Sequence, residues 1–168
     1  MVVARKLING VIKGGIVKRG IPLLIALFLL SGFGSQVFAG VVTSCGGSRG
    51  YAYFFPGGIV PSNQEGWQSD KISKGGIIFT MDGEKPDIII RDAFNVTRSV
   101  TEDKALVRII HEEPSKGTIL LMVYYPAGAL EHYLFQLDNK GAGKVVWGTA
   151  KAAGPIITNK LMSADCKK

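Results

Sequence analysis

From Gly76 to the C-terminus, turn-forming clusters interrupt the chain at short, regular intervals and leave no stretch long enough for a packed helix. Asp82-Gly83 and Asn139-Lys140-Gly141-Ala142-Gly143 offer glycine's tolerance of positive φ, and Pro114-Ser115-Lys116-Gly117 and Pro126-Ala127-Gly128 combine it with proline's fixed φ. Between them lie extended-type segments at residues 77–81, 87–91, 104–112, 118–125, 130–138, 144–150 and 160–166. Residues 50–55 add a strand near the front, and 93–100 add a weaker one rich in β-branched side chains. No segment repeats its apolar residues at the 3.6-residue period of an amphipathic helix. The expected fold is therefore all-β: a small antiparallel meander, closed as a barrel or folded as a sandwich.

Alternation along the segments says which side chains face inward. In 130–138, Tyr133, Phe135 and Leu137 share one face, while His132, Gln136 and Asp138 share the other. Residues 119–125 are apolar on both faces, the mark of a central strand or of one with a face covered by a loop or partner. Residues 55–75 have turn composition around Trp67 and read as a long loop held down by that ring. Loops of that length are often functional, so a binding surface is expected there.

Ahead of this region the chain reads as an export leader. Arg5, Lys6, Lys13, Lys18 and Arg19 precede an apolar run, 21–30, with no acidic residue before it. The run falls short of the roughly 20 residues that span a bilayer as a helix. Small residues follow, and Val37-Phe38-Ala39 carries the pattern a signal peptidase cuts. The expected organisation is a signal peptide at 1–39 and one β-rich domain at 40–168, exported to the periplasm or outside the cell, with no span left after cleavage. A second pattern, Val42-Thr43-Ser44-Cys45, loosely fits a lipoprotein box and would put a lipid anchor on Cys45. The apolar run ends well before Cys45 and position 42 is not Leu, so the cut after Ala39 is favoured.

That cut removes five cations, leaving 15 Lys and Arg against 13 Asp and Glu, a net charge of +2 instead of +7. The remaining cations are scattered among carboxylates, which argues against nucleic acid as a partner. Cys45 and Cys166 lie near the two ends of the expected domain, and in an oxidising compartment they are expected to pair. Cysteines near both ends of a small exported β-domain resemble the layout of the periplasmic inhibitors of C-type lysozymes, which are small barrels. No loop motif of that family is matched, so no residue role is carried over.

Catalytic chemistry is thinly supplied. With hairpins centred near Ser115 and Gly128, His111 and His132 fall on opposite faces and roughly 20 Å apart, too far to share a metal. Ser44-Cys45-Gly46-Gly47-Ser48-Arg49 resembles a glycine-rich nucleophile loop but matches neither a hydrolase elbow nor a phosphate loop. Glu112-Glu113 and Glu131 lack an identifiable facing carboxylate, and Asn95-Val96-Thr97 is a glycosylation sequon. No catalytic residue, metal site or cofactor is assigned.

Tyr51, Tyr53 and Phe55 share one face of a strand; a stripe of this kind is most often core, and otherwise lines a cavity or a partner patch. With Arg49 and Trp67 they form the candidate surface for an unknown protein or a small apolar ligand. The expected function is a non-catalytic binding or structural module of the cell envelope. The alternatives are an inhibitor of a secreted hydrolase acting through the 55–75 loop, and a hydrolase built on the 44–49 segment. The intact mass of the exported protein should begin at Gly40 and rise by about 2 Da on reduction of the disulfide; a chain retaining Met1 would refute the leader.

Overall fold

The computed structural model describes residues 40–168, so the expected signal peptide at 1–39 lies outside the described residues. The turn residues read above sit at turns: Gly83, Gly117, Gly128 and Gly141 all have positive φ. Between the turns run β1 (Gly40–Cys45), β2 (Ser48–Phe54), β3 (Gly66–Ile72), β4 (Gly76–Asp82), β5 (Lys85–Arg91) and β6 (Thr97–Ser99). They are followed by β7 (Leu106–Glu113), β8 (Thr118–Tyr125), β9 (Ala129–Leu137), β10 (Gly143–Lys151) and β11 (Thr158–Lys167). The described helix is confined to single 3-10 turns at Ser62–Gln64 and Pro114–Lys116. All strand pairs are antiparallel, and the sheet curls into a half-barrel with the order β6-β5-β4-β1-β11-β10-β9-β8-β7.

Two strands that the sequence reading did not assign account for the remaining topology. Gly66–Ile72 is not part of a long loop: it is β3, paired with β2 from Ser48↔Ile72 to Phe54↔Gly66. Its sequence, Gly-Trp-Gln-Ser-Asp-Lys-Ile, hides the strand because β3 pairs on one side only and its side chains need no apolar alternation. Trp67 is not packed down either, being 65% exposed. Gly40–Cys45, to which the sequence reading assigned no strand, is β1.

β1 and β2 behave as one long strand bent at Gly46-Gly47, and β3 and β4 as its bent partner. β11 pairs with both halves, at Cys45↔Cys166 and then at Arg49↔Ser163, so one extra residue is taken up between them. That is the geometry of a bulge, and it forks the sheet: β1 leads to β4, β2 to β3. Gly47 is required at the bend, since a Cβ there would lie 2.8 Å from the Ser73 carbonyl oxygen.

The concave side is filled. Phe79 of β4 stacks on Phe135 of β9 at 5.3 Å, Tyr133 lies 6.3 Å from Phe135, and Trp147 of β10 lies 6.0 Å from Tyr133. This run of rings crosses the interior from one arm of the sheet to the other, joined by Ile77, Ile88, Leu121, Val123, Val145 and Met162. Aromatic pairs at such spacing add about 0.5–1.5 kcal/mol each beyond their burial.

Cys45 and Cys166 form a buried disulfide between directly opposed residues of β1 and β11. β1 meets β11 in two registered pairs only, whereas β10 meets it in nine. The bond therefore clamps the thinnest ladder of the sheet. Its partners are 121 residues apart, and closing a loop of that order stabilises by about 4–5 kcal/mol in the chain-entropy picture. Urea unfolding of Cys45→Ser/Cys166→Ser should show a loss of several kcal/mol; a midpoint unchanged from the oxidised parent would show that the ladder holds without the bond.

Candidate functional site

Strand alternation places the sequence-derived candidates on the outside of the sheet. Tyr51 and Tyr53 point away from the core because Ala52, between them, is fully buried. Across the ladders Tyr53 faces Trp67 and Tyr51 faces Ser69, while Arg49 faces Lys71. On the other side they face Asn159, Leu161 and Ser163 of β11. The stripe is thus neither core nor cavity lining. Phe55 lies just past the end of β2, its ring centroid 4.8 Å from that of Tyr53, which in turn meets Trp67 edge-on at 5.5 Å.

The same outer surface continues where the sequence reading stopped. Leu161 is followed across the sheet by Gly148, His132, Met122 and Arg108. The row on one side of it runs from Trp67 and Tyr53 through Asn159, Ala150, Leu130 and Tyr124 to Leu106. The row on the other side runs from Lys71 and Arg49 through Ser163, Val146, Leu134 and Leu120 to His111. Large apolar side chains stand open to solvent along these rows, among them Tyr51 (62% exposed), Leu161 (53%) and Leu106 (50%). Contiguous apolar exposure is a general feature of interaction surfaces. The two-sided apolarity of β8 pointed toward it; the contributions of Leu161, Val146 and Leu106 became visible only through register.

Both histidines belong to this face, against the sequence expectation of opposite faces. The Pro126-Ala127-Gly128 turn puts His132 opposite Met122, and a bulge between Ile109 and His111 shifts β7 so that His111 faces Leu120. The bulge reverses the side of the sheet on which His111 stands. The two remain on different rows of different strands.

Polar groups on the concave side are engaged in structure. Glu131 accepts hydrogen bonds from Tyr133 Oη at 2.6 Å, Tyr125 Oη at 3.2 Å and Thr149 Oγ1 at 3.3 Å. Burial, reinforced by the Glu131 charge, pushes the Tyr133 and Tyr125 phenols well above their ordinary pKa, so both act as donors. Lys160 Nζ lies 2.7 Å from Asp70 Oδ2 across the inner side of the β2–β3 arm. On the outside, the hydrogen bond from Tyr53 Oη to Glu65 at 2.9 Å raises the Tyr53 phenol as well.

The 44–49 segment is the bend between β1 and β2 rather than an open nucleophile loop. Ser48 is buried, and its Oγ accepts a 3.1 Å hydrogen bond from Trp147 Nε1. Among the described residues, no group of three or more His, Cys, Asp or Glu stands together as a metal site, and no helix is long and apolar enough to cross a membrane. A cleft of about 370 Å³ opens at the fork, lined by Ser48, Arg49, Lys71, Ser73, Lys144 and Ser163 among others. No protein family, curated protein or solved structure matches the chain.

Ser48→Ala should cost about 1–3 kcal/mol in urea unfolding, because it leaves the buried Trp147 N–H without an acceptor. Unchanged stability would mean that the indole finds another partner.

Proposed function

We propose that the chain is an exported, non-catalytic binding module of the cell envelope that works through the outer face of its curled sheet. The observation that carries this reading is the run of exposed apolar side chains across β2, β11, β10, β9, β8 and β7, with Arg49, Tyr51, Tyr53 and Trp67 at one end. Such a surface is costly in water and gains when a partner covers it. The Cys45–Cys166 disulfide is compatible with an oxidising compartment outside the cytosol and supports export. In this reading the half-barrel is the working form, its inside serving as packing and its outside as contact surface. A small apolar ligand is the weaker candidate partner, because the rings of Phe79, Phe135, Tyr133 and Trp147 occupy the interior.

A second reading, an inhibitor of a secreted hydrolase, draws on the 55–65 loop. Gly57 and Val60 exchange backbone hydrogen bonds, and Phe55 and Ile59 bond to the 155–157 segment at 3.1 Å, which holds Ile59 outward at 68% exposure. A loop fixed in this way loses little entropy on inserting into a cleft.

Fractionation of cells expressing the full chain separates the two. The wild type should travel with the envelope fraction, and Tyr51→Ser/Leu161→Ser/Leu134→Ser should move to the soluble exported fraction, while deletion of 57–60 leaves the distribution unchanged. Equal distribution of wild type and triple variant would overturn the outer-face reading, and release by the loop deletion alone would favour the inhibitor.

A further inference from the structure

Three adjacent rows of the outer face carry charge of one sign. On the rows that run from Trp67 to Leu106, from Ser69 to Arg108 and from Lys71 to His111, the strand positions include Arg49, Lys71, Arg108, His111 and His132 and not one carboxylate. Of the acidic residues of the same strands, Asp70 and Glu131 lie on the inner side, and Asp165 and Glu113 stand on the outer face one row further along, the row of Lys144. Glu65, from the loop ahead of β3, reaches the margin and is bonded to Tyr53 Oη. Arg49 and Lys71 are exposed and directly opposed on adjacent strands, an arrangement that costs stability in water. Neither has an ion-pair partner among the described residues.

These two cations enter the cleft at the fork, where Lys144, Ser73 and Ser163 join them. The cleft's one carboxylate, Asp165, is held 3.1 Å from Lys144 Nζ. Three cations against one carboxylate leave an excess of positive charge beside hydroxyl donors, which suits a phosphate group. Immediately next to Arg49 along the strand begins the aromatic and aliphatic field of Tyr51, Leu161, Tyr53 and Trp67. Tyrosine and tryptophan, with an apolar body and a polar tip, are the side chains that settle at a water–lipid boundary.

We propose that the outer face docks on a lipid surface bearing anionic phosphate headgroups, with the phosphate met by Arg49, Lys71 and Lys144 and the acyl boundary met by Tyr51, Leu161 and Trp67. This rests on the reading of the outer face as the working surface and names its occupant. A membrane offers apolar and anionic chemistry side by side over an extended area, matching the order in which the face presents them. A second copy seated face to face would set Arg49, Lys71 and Arg108 against cations of the same face. The contact is peripheral: a convex sheet meets the bilayer along its central rows and leaves the packed interior undisturbed.

The test is sedimentation of the exported, disulfide-bonded domain with vesicles of equimolar phosphatidylglycerol and phosphatidylcholine, set against vesicles of phosphatidylcholine alone. The expected result is binding to the anionic vesicles that weakens with added salt. Each cation near such a surface is worth about fivefold in affinity, so Arg49→Gln/Lys71→Gln should lose about 25-fold. Tyr51→Ser/Leu161→Ser should lose binding by a comparable factor while keeping the parent's thermal midpoint, since these side chains are outside the core. Equal binding to both vesicle types would overturn the headgroup role, and binding by both variants at wild-type strength would place the contact on another surface. Failure to bind vesicles, with the face substitutions still releasing the protein from the envelope fraction, would leave the outer-face reading standing and assign a protein occupant. Self-association abolished by the same substitutions would assign a second copy instead.

Discussion

Everything in this sheet that curls is held at β11, and the covalent bond between Cys45 and Cys166 sits where β11 is joined most weakly. Along one edge β11 pairs with β10 over its whole length; along the other it must serve both halves of a bent strand, β2 and then β1. Only Ser44↔Lys167 and Cys45↔Cys166 register on the β1 side. Without a firm join there, the arm β1-β4-β5-β6 would be held to the rest by packing and by its chain connections at Gly46-Gly47, 73–75 and 100–105. The disulfide fixes that arm against β11, so Phe79 can lie across the interior on Phe135. The aromatic core and the covalent clamp thus support the same curvature, one from inside and one from the seam.

Curvature separates two chemistries that alternate residue by residue along each strand. β9 shows it most clearly: Glu131, Tyr133, Phe135 and Leu137 go inward, Leu130, His132 and Leu134 outward. Inward polar groups find partners at once, as Glu131 does with three hydroxyls and Ser48 with Trp147. Outward apolar groups such as Leu130, Leu134 and Leu161 stay largely open to solvent among the described residues. Along these rows the unmet apolar surface of the domain therefore stands on the outside of the sheet.

The all-β class, most strand positions, the turn glycines and the cysteine pairing were legible because they rest on local chemistry. Gly83, Gly117 and Gly128 need positive φ, and residues 118–125 alternate too little to be anything but a strand in the middle of a sheet. β3 escaped because an edge strand such as Gly66–Ile72 is free to be polar on both faces. His111 was placed on the wrong face because a bulge between Ile109 and His111 leaves no signature in residue type, yet reverses every side chain beyond it. Of the candidate surface, Tyr51, Tyr53 and Phe55 were found by their spacing, Arg49 by the glycine-rich segment and Trp67 by the turn-rich stretch around it, but a stripe of aromatics reads the same whether it faces a core, a cavity or water.

By itself, the sequence determined what each short segment is: extended or turning, apolar on one side or both, cysteine-bearing or not. These depend on steric limits within a few residues. Tertiary structure alone decided which side is outside for strands without clear alternation or with a bulge, such as β2, β7 and β8, and which distant strands lie next to each other. The row joining Trp67 to Leu106 and the cleft joining Arg49 to Lys144 are products of register and of one bend at Gly46-Gly47. Register is set by the summed packing of the whole sheet, a quantity no local window of residues contains.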